Sequence, residues 1–215
     1  MDRRLLFKLI AAAGLAPALI RQALAKGQVP IQPGLQSIKG TVTVNGKTAK
    51  EGQLLAPGDR IVTGPASEAT YVIGQDAFLQ RADSDVAFPM DSAAFFRLVT
   101  GRLLSVFGKG DKRLMVPTAT IGIRGTACYI ESDAMRTYFC LCYGEAEVVP
   151  AVAPQEREVI RTQHHDHPIY IHGDAAMPTS MVPATVINHT DAELILLENL
   201  VGRLPPFYGK GMKPY

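Results

Sequence analysis

All three cysteines of this 215-residue chain fall within residues 121–144, IGIRGTACYIESDAMRTYFCLCYG, and four of its five histidines follow within the nine residues 164–172. Thiolate and imidazole together suit zinc, copper or iron; zinc is typically four-coordinate, at about 2.3 Å to sulfur and 2.0–2.1 Å to nitrogen. The candidate ligands are Cys128, Cys140 and Cys142, completed by a histidine of the 164–172 run, with His164, His165 and His167 foremost. Asp166 stands among these histidines as an acceptor able to orient a ligating imidazole. The same residues admit a plainer chemistry, because an odd number of cysteines in an oxidising compartment reads as one disulfide and one leftover thiol. On that reading the histidines belong to a solvated loop. The sequence has no Cys-x-x-Cys-His attachment site for haem, no nucleophile elbow and no zinc-protease motif.

These residues need elements to hold them. Residues 126–132 and 137–143 are rich in β-branched and aromatic side chains and are separated by the polar Asp133-Ala134-Met135-Arg136, which predicts a hairpin. Side chains two apart share a face of a strand, so Cys140 and Cys142 point the same way. A loop symmetric about Ala134 sets Cys128 opposite Cys140, with Cβ atoms about 4.5–5.5 Å apart. Three thiols then converge on one metal, or a Cys128–Cys140 disulfide closes the hairpin. Cys140 and Cys142 lie about 7 Å apart along an extended strand, so they do not bridge each other readily, and metal binding requires their side chains to rotate inward.

The preceding chain reads as a series of short strands. Asn45-Gly46 and Pro57-Gly58-Asp59 supply turns, residues 68–73 alternate in hydrophobicity, and further β-rich runs follow near 77–80, 85–88 and 95–107. No convincing helix occurs between 37 and 149, which predicts an all-β domain. Phe88, Phe95, Phe96 and Phe107 are expected to fill its core. Past Val149 the character changes: a Pro/Ala linker precedes the histidine run, and Thr190-Asp191-Ala192-Glu193 is a capping box opening an amphipathic helix near 191–201, closed by Gly202.

Five segments in order, Lys39-Gly40-Thr41-Val42, LAPGDRIVTG at 55–64, Val99-Thr100-Gly101-Arg102-Leu103, VPTATIGIRGT at 116–126 and YGEAEV at 143–148, resemble the FecR domain. The resemblance covers about 37–149. It implies a short-stranded all-β fold, solenoid-like or sandwich-like, acting outside the cytoplasm as a sensing or interaction module. It also implies that Arg124-Gly125-Thr126 is structural, with Gly125 relieving the backbone and Arg124 bridging to a carboxylate or carbonyl. The three cysteines depart from the general pattern of that family, and the sigma-factor-binding segment and membrane helix of its full-length regulators are not expected here.

The start of the chain reads as an export signal over 1–25, followed by an extended lead-in over 26–36. Arg3-Arg4-Leu5-Leu6-Phe7-Lys8 resembles a twin-arginine signal, with an ordinary secretory signal as the alternative, and Ala23-Leu24-Ala25 is a small-x-small cleavage pattern. The apolar stretch over 9–20 is too short to cross a bilayer core of about 30 Å. Removing 1–25 turns a formal charge of +2 slightly negative, which leaves no basic footprint for nucleic acid. The expectation is an exported or periplasmic, non-enzymatic FecR-like module with a His-containing extension over 150–215, a protein partner or small ligand in the envelope, and no membrane span after cleavage. Its rivals are a purely structural or partner-binding domain with a cysteine staple, and a small metal- or thiol-dependent redox enzyme.

Overall fold

The computed structural model describes residues 32–91 and 94–210, so the expected export signal over 1–25 and residues 26–31 of the lead-in lie outside the described residues. The described chain is all-β with one α-helix in its C-terminal extension. The first strands are β1 (Gly34–Lys39), β2 (Val42–Val44), β3 (Lys47–Thr48), β4 (Arg60–Thr63), β5 (Glu68–Ile73), β6 (Asp76–Gln80) and β7 (Ser84–Ala87). The long strands β8 (Phe96–Val106), β10 (Ala119–Ser132) and β11 (Arg136–Pro150) follow, with the six-residue β9 (Asp111–Val116) between β8 and β10. The extension adds β12 (Glu158–Thr162), β13 (Ile169–His172), β14 (Met181–Pro183) and the helix α1 (Asp191–Leu200). All fourteen strands belong to one hydrogen-bonded sheet. Turn chemistry acts where the sequence places it: Asn45 and Gly46 both take positive φ, 52° and 75°, to join β2 to β3.

The hairpin of β10 and β11 is the spine of the sheet. The first half of β10 pairs with β9 and the second half with β8, and the change of partner coincides with a bulge at Gly125, whose φ is +53°. Arg124 bonds Asp111 on β9 from the exposed side. Across the bulge Gly144 has a φ of +102°, and a Cβ there would fall 2.5 Å from Thr126 Cγ2, so the hairpin needs glycine at this point. β11 divides in the same way, its start pairing with β13 and its end with β12. The extension therefore continues the sheet that the first part of the chain begins.

Alternation along the hairpin sends side chains into two cores. Cys128, Ile130, Phe139 and Leu141 face a larger core around which the sheet wraps, and that core contains Phe88, Phe96 and Phe107 with Tyr71 and Phe78. Ala127, Tyr129, Tyr138, Cys140 and Cys142 face a second core, roofed by α1. The helix starts where its capping box predicts: Thr190 Oγ1 accepts from the Glu193 amide, and Glu193 accepts from the Thr190 amide at 2.8 Å. It is buried more fully than the amphipathic pattern suggests, since Ile195 and Leu196 are covered as well as Leu194, Leu197 and Leu200. Each such aliphatic side chain taken out of water contributes about 1.5–3 kcal/mol. The three buried carboxylates of α1 are paired, Asp191 with His164, Glu193 with Arg81, and Glu198 with Arg203 and the Tyr143 hydroxyl.

Candidate metal centre

Three chain segments meet under the start of α1. Cys140 and Cys142 come from β11, both fully buried in the second core. His165 comes from the turn after β12. There the Asp166 carboxylate accepts from the amides of Gln163 and His164, and His165 takes a left-handed φ of 56° while its own amide donates to Cys142 O at 3.0 Å. That bond ties the turn to the strand carrying the thiols. His189 comes from the residue before the helix N-cap, where its ring stacks on Tyr129 with centroids 4.7 Å apart.

One donor atom from each of Cys140, Cys142, His165 and His189 lies within 4.8 Å of every other. Cys140 Sγ is 3.4 Å from His165 Nδ1, which is 3.0 Å from His189 Nε2. Tetrahedral zinc at the bond lengths above places its ligand atoms about 3.3–3.8 Å from one another, so the cluster needs little movement to close on an ion. The outer nitrogens orient the inner ones. His189 Nδ1 is 2.7 Å from Ile187 O, a carbonyl that only accepts, so this nitrogen carries the proton and Nε2 turns its lone pair inward. His165 Nε2 faces Asp191 Oδ1 at 3.4 Å, which in the same way leaves Nδ1 to face the thiols. With an ion bound, these two inner nitrogens would turn lone pairs toward it beside the two sulfurs, whereas in the metal-free cluster the 3.0 Å contact between them carries a proton.

Electrostatics divide the two thiols. A hydrogen bond from Cys142 pulls the Cys140 thiol well below its ordinary range; burial opposes this, while His165 and His189 add to it. Burial pushes Cys142 up, as does its bond to Cys140. Burial acts to lower His165, but hydrogen bonds to Asp191 and Cys140 outweigh it and raise the imidazole. A thiolate stabilised by neighbouring imidazoles is the ligand form that a transition metal requires.

The expected ligands separate. Cys140, Cys142 and His165 come together, whereas Cys128 lies on the other face of the hairpin in the larger core, where burial drives its thiol pKa up. The reason is register. The Asp133 amide donates to Arg136 O while the Asp133 carboxylate accepts from the amides of Met135 and Arg136, and the strands close as Ser132 opposite Thr137. Cys128 then stands opposite Leu141, and Tyr129 opposite Cys140, one residue from a loop centred on Ala134. A one-residue slip exchanges faces, so neither the convergence of three thiols nor the Cys128–Cys140 disulfide is formed, and all three cysteines are free.

His164 and His167 also occupy other places. His164 Nε2 lies 2.8 and 3.0 Å from the two Asp191 oxygens and its ring stacks on Phe207, while His167, 47% exposed, pairs with Glu158 at the surface. The carboxylate that reaches the imidazoles is Asp191, and the Asp166 bonds just described shape the turn. Sequence reasoning missed His189 and Asp191 as parts of the site. Both flank Thr190, so the capping box was the available signal: a capped helix start fixes its neighbours rigidly wherever the helix lands.

No protein-family model matches the sequence, and no curated protein matches it significantly. Among solved structures, two crystal structures of a candidate anti-sigma factor from Parabacteroides distasonis ATCC 8503, at 1.65 and 2.50 Å resolution, are similar with TM-scores of 0.48 and 0.47. Each is 8% identical in sequence, and the match spans 59% of this chain and 59% of theirs. A likeness this loose carries no argument about what this chain does.

Proposed function

We propose that this chain is an exported, non-enzymatic FecR-type sensing or interaction module of the bacterial envelope whose Cys140, Cys142, His165 and His189 hold one transition-metal ion. The observation that carries the metal reading is the buried convergence of those four donors, drawn into place by three local devices: a strand that carries both cysteines, a turn tied to that strand, and a capped helix start. The FecR part is supported by the five ordered segments between 39 and 148, and the export part by the Arg-Arg and Ala-x-Ala pattern within 1–25. The ion joins the extension to the hairpin, since two of its ligands precede residue 150 and two follow it.

A thiol enzyme has one observation in its favour: Cys140, His165 and Asp191 succeed one another like a nucleophile, its base and an orienting carboxylate. Against turnover, Cys140 is fully covered and the His165 side chain is 1% exposed, which shuts Sγ away from a substrate. Full-length protein produced with its own leader and recovered from the export compartment tests the proposal. It is expected to carry about one zinc, copper or iron per chain and to lose it on Cys142→Ser and on His189→Ala. Metal-free protein that takes up none of these ions with its thiols reduced would overturn the reading.

A further inference from the structure

The four donors leave the charge of the centre to the ion. With two thiolates a divalent ion is neutral, while copper(I) leaves a net negative charge in a site from which water is excluded, where charge is costly. Beside the donors lies a further carboxylate, Asp191, 3% exposed at the first turn of α1. It is braced by His164 Nε2 on both oxygens and faces His165 Nε2 at 3.4 Å. Resting on the metal reading above, we propose that Asp191 is the carboxylate behind this centre, fixing His165 as an Nδ1 ligand and biasing the site toward a divalent ion over copper(I).

The physical case has two parts. A carboxylate on the far nitrogen of a ligating imidazole locks its tautomer and ring orientation and raises its basicity. That carboxylate is also a second negative charge a few ångströms from the ion, partly offset by the helix N-terminus where it sits. Next to a neutral divalent centre it is one charge, balanced by the helix and by the hydrogen bonds from His164. Next to a negative copper(I) centre it adds repulsion. Asp191 thus selects by charge what the donors admit by softness.

The experiment is a competition titration of the purified full chain with zinc and, separately, with copper(I), each against a chromophoric chelator, in wild type, Asp191→Asn and His164→Gln. Asp191→Asn, which keeps the shape and removes the charge, is expected to weaken zinc 10–100-fold while leaving copper(I) equal or tighter. His164→Gln retains the charge and a donor, and should hold zinc within about threefold. Zinc binding by Asp191→Asn within threefold of wild type, or equal losses for both ions, overturns the role of Asp191. Nitrogen-15 NMR of zinc-loaded wild type keeps the test independent of how the variants fold: His165 protonated on Nε2 supports the proposal, and protonation on Nδ1 overturns it. Wild type that binds neither ion refutes the metal centre itself, whereas intact zinc binding with an indifferent Asp191→Asn refutes this inference alone.

Discussion

Replacement of Arg81 by alanine reaches the centre without touching a ligand. Arg81 Nη2 donates to Glu193 Oε1 at 2.7 Å and to Asn188 O at 2.9 Å, gripping the chain on both sides of His189. Its side chain is 19% exposed and that of Glu193 only 3%, so the alanine variant strands a carboxylate in the second core. Breaking a buried pair in this way costs about 3–5 kcal/mol. For a protein of this size each kcal/mol moves the midpoint by about 2–4 °C, so Arg81→Ala is expected to melt about 6–20 °C below wild type. Adding Glu193→Gln removes the stranded charge, and the double variant should recover more than half of the loss. Circular dichroism melts of the metal-free proteins, followed by cobalt(II) titration, give both readouts. Cobalt should bind more weakly to Arg81→Ala, because the segment holding His189 has lost its anchor. A midpoint lowered by less than about 3 °C, or a double variant as damaged as the single, would refute the reasoning that the paired charge, and not merely the arginine's bulk, holds the helix start.

Three further predictions follow from placement. Cys128→Ala should leave metal content unchanged and cost about 1 kcal/mol, a typical loss for a small buried change; metal loss would return Cys128 to the centre. His167→Ala should alter neither metal content nor, beyond about 0.5 kcal/mol, stability, because its partner Glu158 is a surface one; depletion of the metal would contradict the surface assignment. Leu197→Ala, which empties a fully buried position of α1, should cost about 2–5 kcal/mol in denaturant melts, and a loss below 1 kcal/mol would mean that the helix does not roof the second core.

The sequence made the elements legible more readily than their faces. Short strands, the Asn45-Gly46 turn, the Phe88–Phe96–Phe107 core and the capped helix all follow from local chemistry, and each acts locally in the fold. The hairpin was legible too, with both of its strands, but the side on which Cys128 falls depends on a single residue of register. That register is fixed by hydrogen bonds to the Asp133 side chain, which a symmetric loop count does not include. His165 was within reach because it lies in a histidine run, whereas that run by itself does not tell His165 from His164 or His167. The distinction is made by the left-handed turn at His165 and its bond to Cys142 O. His189 and Asp191 lie far along the chain from the thiols, and only the docking of α1 on the Cys140 face of the sheet brings them in.

X-ray absorption at the edge of the bound metal, on wild type and on Cys128→Ala, counts the sulfurs at the ion. The same spectrum is expected for both, fitted by two sulfur and two imidazole ligands, from Cys140, Cys142, His165 and His189. Three sulfurs in wild type falling to two in Cys128→Ala would contradict it.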